Sequence, residues 1–202
     1  MQNEKYRVTQ TLLSSWLGVY KFENGYNDFL RTLNRQKTPQ TKAMLDGIHF
    51  ENVVNHVLIG EPIDETHKWY KPIMQIYDEL CSSQQQVALF KDVNVSGYNV
   101  VLHGILDFLK AGVIYDTKFS KTYHVGKYLS SPQHPMYFAL VPEAYKFQYT
   151  ICDGKYIYRE TYYPEQCEPI EKTISDFFKF LERQNLMDTY KAKWLMKGDY
   201  IK

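Results

Sequence analysis

The chain has 202 residues, of which 44% are hydrophobic and 23% charged, and its 24 lysines and arginines against 23 acids give a formal charge of +1. Such a chain is long enough for one domain with a substantial core, and its composition excludes a disordered protein. The near-neutral charge gives no global sign of nucleic-acid binding. We therefore expect a single domain over 1–202.

The three cysteines, Cys81, Cys152 and Cys167, are far apart. They form neither a disulfide framework nor a C-x-x-C pair, and they are too few for a four-cysteine iron–sulfur cluster, so we expect no such cofactor. No basic segment followed by an apolar run opens the chain, and no apolar run reaches the roughly 20 residues of a membrane helix. These features predict a cytoplasmic protein without membrane contact.

Helical spacing of apolar residues predicts a helix over 9–20 and a second one around Phe29 and Leu33, both facing the core. A third helix is predicted from Thr38-Pro39 to about Leu58. The apolar positions of the first helix are Leu12, Leu13, Trp16, Leu17 and Tyr20.

The third helix carries Glu51 on a stripe with Gly47, Val54 and Leu58, spaced by four, three and four residues. A buried glutamate is costly unless it is paired or binds a metal, and a glycine one turn earlier permits close approach of another backbone. The alternative is that Glu51 lies at the edge of the stripe and reaches solvent. His49 lies on another side of the helix and is left out of the site.

After a helix predicted over 64–81, the spacing predicts a strand over 86–95, a turn at Ser96-Gly97, and a hairpin made by VVLHGILDFLKAGVIYDTKFSK from Val100. These three strands form an antiparallel meander. Asp116 and Lys118 share one face of the last strand, and the turn brings Asp107 near Asp116. Two close carboxylates repel each other unless a proton or a hard cation lies between them.

Magnesium is the cation that fits such carboxylates, since it takes oxygen ligands from one or two of them and from substrate phosphates. Lys118 can orient or help deprotonate a metal-bound water, and it can stabilise charge that builds on phosphorus. The residues therefore suggest phosphodiester hydrolysis.

In these segments the chain resembles a known protein family. The segments HGILD (103–107), DTK (116–118) and QHPMY (133–137) are similar to the G-x-x-D, D-x-K and Q-x-x-x-Y motifs of the PD-(D/E)xK nucleases, in their RecB-like and lambda-exonuclease-like branch. Gly47-x-x-x-Glu51 fits the helix that precedes the sheet in that family. The resemblance covers about residues 43–140. It implies an α/β fold with a restriction-endonuclease-like core, a central mixed sheet flanked by helices.

The resemblance further implies a Mg²⁺-dependent deoxyribonuclease, with Mn²⁺ as a substitute, that acts as an exonuclease in bacterial or phage DNA recombination, repair or processing. Its partners would be DNA and either further copies of the chain or a recombination or replication protein. Glu51, Asp107, Asp116 and the Thr117 carbonyl would bind the metal. Lys118 would position the attacking water, and Gln133 and Tyr137 would hold the strand.

The stretch 110–134 is locally basic, with four lysines and two histidines against Asp116 alone. Lys121 and Lys127 are the expected contacts to a phosphate backbone. The alternative is a solvated loop that happens to be basic. The four lysines are Lys110, Lys118, Lys121 and Lys127.

Four residues near these motifs each fit two roles. Gln133 and Tyr137 share a helix face, but a capping glutamine and a core tyrosine would show the same spacing. His103 fits a hydrogen-bonded sheet residue better than a ligand. Gly104 inside a strand indicates a bulge or the close approach of another backbone, for which nucleic acid is one candidate.

Downstream, Asp153-Gly154 predicts a second hairpin between strands over 145–152 and 155–163, followed by helices over 169–186 and 187–196. Neither region suggests a cofactor site. The rival to the nuclease is a non-catalytic module that keeps the fold and binds nucleic acid or protein, which the near-neutral charge favours.

Overall fold

A computed structural model describes residues 4–196, so the ends of the expected domain, 1–3 and 197–202, lie outside the described residues. Six strands form one sheet that is flanked by helices, as the sequence predicted for an α/β protein. The strands are β1 (Lys5–Thr9), β2 (Gln84–Val95), β3 (Tyr98–Lys110), β4 (Val113–Phe119), β5 (Lys146–Cys152) and β6 (Ile157–Tyr162). The helices are α1 (Gln10–Gly18), α2 (Gly25–Leu33), α3 (Lys42–Leu58), α4 (Tyr70–Leu80), α5 (Gln133–Leu140), α6 (Ile170–Arg183) and α7 (Met187–Trp194).

The sheet is mixed. The predicted meander of β2, β3 and β4 is antiparallel, and so is the predicted hairpin of β5 and β6. β1 pairs in parallel with β3, and β4 pairs in parallel with β5. The confirmed class is consistent with an α/β nuclease-like core.

Strand β3 has an open stretch on one edge. β2 runs along its other edge, while β1 pairs with residues 99–103 and β4 with residues 108–110. Residues 104–107 therefore have no strand partner on that edge. β4 leaves β3 after the pair Phe108–Tyr115 and continues beside β5 alone. We call this separation of β3 and β4 the fork.

Two hydrophobic clusters cover the two faces of the sheet. The larger one is filled by α1, α2, α5, α6 and α7, with Phe29, Phe177 and Tyr190 among its fully buried side chains. The smaller one lies under α3 and α4 and joins Phe50 and Trp69 to the sheet. Because β3 and β4 separate at the fork, α3 reaches the fork from one face of the sheet and α5 reaches it from the other.

Two predicted helix starts were wrong. α3 begins at Lys42, where the Thr41 side chain accepts a hydrogen bond from the Met44 amide, and not at Thr38-Pro39. α4 begins at Tyr70 and not at residue 64, because Asp64 turns the chain by accepting hydrogen bonds from Thr66.

Among residues 4–196 no helix is long and apolar enough to cross a membrane. Two smaller expectations were also wrong. Tyr20, expected in the core, is 67% exposed and lies beyond the end of α1. Lys110, counted with the basic stretch, instead donates hydrogen bonds to the carbonyls of Glu79 and Cys81 at the end of α4, at 2.7 and 2.8 Å.

Candidate active site

Asp107 and Asp116 meet at the fork. Burial, followed by the negative charge of Asp116, raises the pKa of the Asp107 carboxyl well above its usual range. Asp116 is 2% exposed. Two carboxylates at close range in a desolvated place cannot both stay charged without a cation. The raised pKa of Asp107 is the expected response to a second carboxylate at close range.

Lys118 balances the remaining charge of Asp116. Its Nζ lies 2.6 Å from Asp116 Oδ2. That oxygen is buried and has no well-aligned hydrogen-bond donor, so the contact is an ion pair. Burial acts to lower the pKa of Lys118, but the charges of Asp116 and Asp107 outweigh it and raise the pKa. Lys118 is therefore an ammonium group that supplies positive charge.

Gln133 fixes the other oxygen of Asp116. Its Nε2 donates a hydrogen bond of 2.5 Å to Asp116 Oδ1, and Gln133 is 7% exposed. The observed partner of this amide is the Asp116 carboxylate. Gln133 therefore orients Asp116 from α5. Its side chain contacts the site and does not cap the helix.

Tyr137 supports the backbone of β3. Its hydroxyl donates a 2.8 Å hydrogen bond to the Ile105 carbonyl, on the edge of β3 that lacks a strand partner. The side chain is buried, and burial raises its pKa to about 12. The Tyr137 hydroxyl thus makes a supporting contact one turn from Gln133, and a role of Tyr137 in holding DNA stays a prediction.

The neighbour of Gly104 is Tyr137, not nucleic acid. A Cβ built at Gly104 would lie 2.6 Å from Tyr137 Cε1 and 2.8 Å from Leu140 Cδ1. His103 pairs with Phe90 across β3 and β2 and stacks on its ring, with ring centroids 4.4 Å apart and planes 9° apart, so it is a sheet residue. The glycine is required because α5 packs directly on the strand.

Glu51 lies at the border of the packed face of α3. The buried stripe of that helix is Phe50, Val54 and Val57, and Glu51 is half-buried beside it, where burial raises the pKa of its carboxyl. The charges of Lys118 and Asp116 both act on this carboxyl, which places Glu51 near them. The expected backbone neighbour of Gly47 is absent, since a Cβ there would meet nothing within 4 Å among the described residues.

The backbone of Thr117 faces the fork. The two-residue turn Ala111-Gly112 has left-handed φ angles of 49° and 75°, which makes Lys110 and Val113 a hydrogen-bonded pair. Hydrogen-bonded pairs alternate along antiparallel strands, so the backbone groups of Tyr115 face β3. The backbone groups of Thr117, two residues further along β4, face the same edge of that strand. At this position β3 no longer lies beside the edge.

The donors at the fork suit a hard divalent cation. Glu51, Asp107 and Asp116 offer carboxylate oxygens and Thr117 a carbonyl, which are the ligand types of Mg²⁺. Asp116 Oδ2 is buried against the Lys118 ammonium, 2.6 Å away, so this oxygen already faces a positive charge. Within residues 4–196, no three acidic, histidine or cysteine side chains already form a closed cluster. The fit therefore rests on donor type.

Thr117 also carries a hydroxyl without a partner. Its Oγ1 is buried and makes no hydrogen bond. Thr117→Val keeps the shape of the side chain and removes this unsatisfied group, so we expect the free energy of unfolding to rise by about 1 kcal/mol. Urea denaturation measures the change. A less stable variant would show that the hydroxyl is hydrogen-bonded in solution.

An open cleft of about 710 Å³ leads away from Glu51 and Lys118, between the start of α3 and the segment after β4. Lys121 lies in it, 2.7 Å from Asp46, and Lys127 donates to Ser120 at 2.5 Å. Both predicted DNA contacts therefore lie in the same cleft as the site. Four lysines line it: Lys42, Lys118, Lys121 and Lys127.

Sequence reasoning missed Glu160, which holds the segment that follows β4. Glu160, on β6, is 8% exposed and accepts hydrogen bonds from the Tyr162 hydroxyl, from the Tyr123 hydroxyl at 3.0 Å and from the Tyr128 amide at 3.1 Å. A single glutamate in a polar strand gives no signal of this role. It fixes the loop that carries Lys127.

His134 predicts a pH dependence of stability. Its ring is 3% exposed and stacks on Tyr162 at 4.0 Å, and burial lowers its pKa from 6.5 to about 4. The unfolded chain binds the proton first, so this contribution is complete above pH 6.5 and is lost as the pH falls toward 4. We expect a loss of up to about 3 kcal/mol over that range.

Urea denaturation at several pH values measures this loss in the wild type and in His134→Phe, which cannot titrate there. The variant is expected to be less stable at neutral pH because it loses the contact of Nδ1 with the Tyr149 hydroxyl, at 3.3 Å. Its stability should nevertheless fall less steeply toward acid pH. Parallel curves for both proteins would contradict a depressed pKa of His134.

The chain matches no protein-family model. No curated protein is significantly similar to it in sequence. Among solved structures, the crystal structure of SSO0001 is similar, with 14% sequence identity, a TM-score of 0.47, and coverage of 89% of this chain and 77% of that one. Function therefore has to be inferred from the residues of the site.

Proposed function

We propose that the protein is a metal-dependent DNA nuclease that hydrolyses phosphodiester bonds, and that it acts as an exonuclease in DNA recombination, repair or phage DNA processing. The observation that carries the proposal is the meeting of Asp107, Asp116, Lys118 and Gln133 at the fork, beside a cleft lined by lysines. The cytoplasm is the compartment that this function and the three unpaired cysteines favour.

Each group has a role that follows from its contacts. Glu51, Asp107, Asp116 and the Thr117 carbonyl would hold the metal, and Mg²⁺ or Mn²⁺, when bound, would supply an activated water and charge for the phosphate. Gln133 keeps Asp116 in one orientation. Lys118 is already protonated beside the carboxylates, so its part is to position the water and stabilise negative charge on phosphorus.

The test is incubation of the pure protein with linear and with covalently closed circular DNA, in Mg²⁺ or Mn²⁺. Degradation of linear DNA alone would support the exonuclease, and cleavage of circles would make the enzyme an endonuclease. No cleavage of either substrate with either metal would refute the nuclease proposal.

A non-catalytic module that binds nucleic acid or protein is the second candidate. The Lys118–Asp116 ion pair favours it, because the ammonium group already neutralises the carboxylate that a metal would need. Thermal unfolding with and without Mg²⁺ or Mn²⁺ distinguishes the nuclease from the binding module. A metal that binds only to the folded state raises the stability of the protein by mass action. Stabilisation that is lost in Asp116→Asn favours the nuclease, and no stabilisation of the wild type favours the module.

A further inference from the structure

A second group of lysines lies beyond the cleft. Lys68, Lys71 and Lys155 are exposed and line a hollow of about 240 Å³ between the start of α4 and the turn that joins β5 to β6. We call these three lysines the distal lysine surface. Glu65 and His67 lie in the same hollow.

Three acids also lie near this surface. The Asp64 carboxylate is occupied by hydrogen bonds from Thr66, and the Asp153 carboxylate accepts from the amides of Lys155 and Tyr156 and from the hydroxyl of Tyr158. Both acids keep their charge but are engaged in their own turns. Glu65 lines the hollow together with the three lysines, whose ammonium groups are what the hollow offers to an anion.

The distal lysine surface continues from the cleft. Lys121, in the cleft, lies 6.0 Å from the centre of the Phe119 ring, and that ring lies 5.0 Å from Trp69. Lys68 lies on the same Trp69, 4.0 Å from its ring centre. Two aromatic side chains therefore separate the last lysine of the cleft from the first of the distal surface. One extended polyanion can contact both.

Exposed aromatic rings accompany these lysines. Tyr156 is 55% exposed, and Lys155 Nζ lies 5.0 Å from its ring centre. Tyr158, on β6, is 37% exposed, and its ring packs on Tyr123 with centroids 4.9 Å apart. Lysines that contact phosphates, alternating with open aromatic faces, suit unpaired bases, because every base can stack on such a face whereas a duplex keeps its bases stacked inside.

We propose that the distal lysine surface, together with Tyr156, binds a single-stranded polynucleotide that continues from the cleft. This inference rests on the proposed function, because it names the strand state of the nucleic acid that the same site receives. It assigns the surface to substrate that lies several nucleotides from the scissile bond.

The experiment measures binding by fluorescence anisotropy in EDTA, so that no cleavage occurs. The oligonucleotides are single strands of about 6 and about 24 nucleotides and a duplex of the longer length. The proteins are the wild type, a variant with Lys68, Lys71 and Lys155 changed to Gln, and a control with Lys172, Lys179 and Lys193 changed to Gln. Both triple variants lose the same charge, and the control lysines lie on α6 and α7.

The distal variant is expected to bind the long single strand about tenfold more weakly at low salt. Its slope of log affinity against log salt should be smaller by about 2, which is three lysines at roughly 0.7 each. The short strand, which ends in the cleft, should bind equally well to all three proteins. The control should bind the long strand as the wild type does.

Tyr156→Leu gives an independent measurement, with an expected loss of about tenfold for the long single strand and no loss for the duplex. Equal binding of the long strand by the wild type and the distal variant would overturn the inference, even where the wild type cleaves DNA. An equal loss for duplex and single strand would overturn the single-strand assignment. A wild type that binds none of the oligonucleotides would overturn the proposed function as well.

Discussion

Lys118→Ala is expected to lower the rate of phosphodiester cleavage by at least about a thousandfold, because it removes the positive charge beside Asp116 from the transition state. The protein should remain folded, since with Lys118 gone Asp116 keeps the hydrogen bond from Gln133. Single-turnover cleavage with Mg²⁺ measures the rate, and circular dichroism checks the fold.

A matched control for this variant is Lys110→Ala. Lys110 is also a lysine of the hairpin, but its ammonium group caps α4 and lies outside the cleft, so its loss should affect stability more than cleavage. Asp116→Ala should be as inactive as Lys118→Ala. Substantial residual cleavage in both site variants would refute the assignment of these residues.

Gly104→Ala is expected to impair the fold and the site together. The added methyl group would overlap the Tyr137 ring and Leu140, so α5 must move away from β3 at a cost of about 1 to 3 kcal/mol. Gln133 moves with α5, and Asp116 loses its orienting hydrogen bond. Cleavage should therefore fall by more than the loss of folded protein accounts for.

Tyr137→Phe separates the two effects, because it keeps the ring on Gly104 and removes only the hydrogen bond to the Ile105 carbonyl. We expect it to lose about 1 kcal/mol of stability and to stay far more active than Gly104→Ala. Urea denaturation and cleavage of linear DNA measure both variants. Normal activity in folded Gly104→Ala would show that α5 does not position the site.

Local patterns predicted most of the sheet. The hairpin after Val100 and the turn at Asp153-Gly154 were identified because apolar runs and turn residues are properties of neighbouring positions. Strand β1 was missed, since Lys5–Thr9 holds only Tyr6 and Val8 as buried apolar residues and becomes a strand by pairing with a distant β3. The start of α3 was misplaced because Thr38 and Thr41 are both suitable caps, and only Thr41 is used.

The sequence predicted which residues belong to the candidate site, but it did not predict which atoms they contact. Spacing placed Asp107, Asp116 and Lys118 together, and the family resemblance added Gln133 and Tyr137. The burial of Tyr137 depends on α5 packing against Gly104, which no spacing reveals. The pairing of β2 with β3 is interrupted where Gln86 lies opposite Asp107. Gln86 has a left-handed φ of 50° there, a conformation that is uncommon for a residue other than glycine and that its spacing in the sequence does not reveal.

The fork also sets how the molecule can move. Beyond Tyr115 no ladder hydrogen bond joins β3 to β4, so the separation of their acids is held by side chains from α5, through one bond of Gln133 and one of Tyr137. A displacement of α5 would therefore part Asp107 from Asp116 without breaking the backbone pairing of the sheet. The positions of the two carboxylates therefore depend on how α5 packs against the sheet.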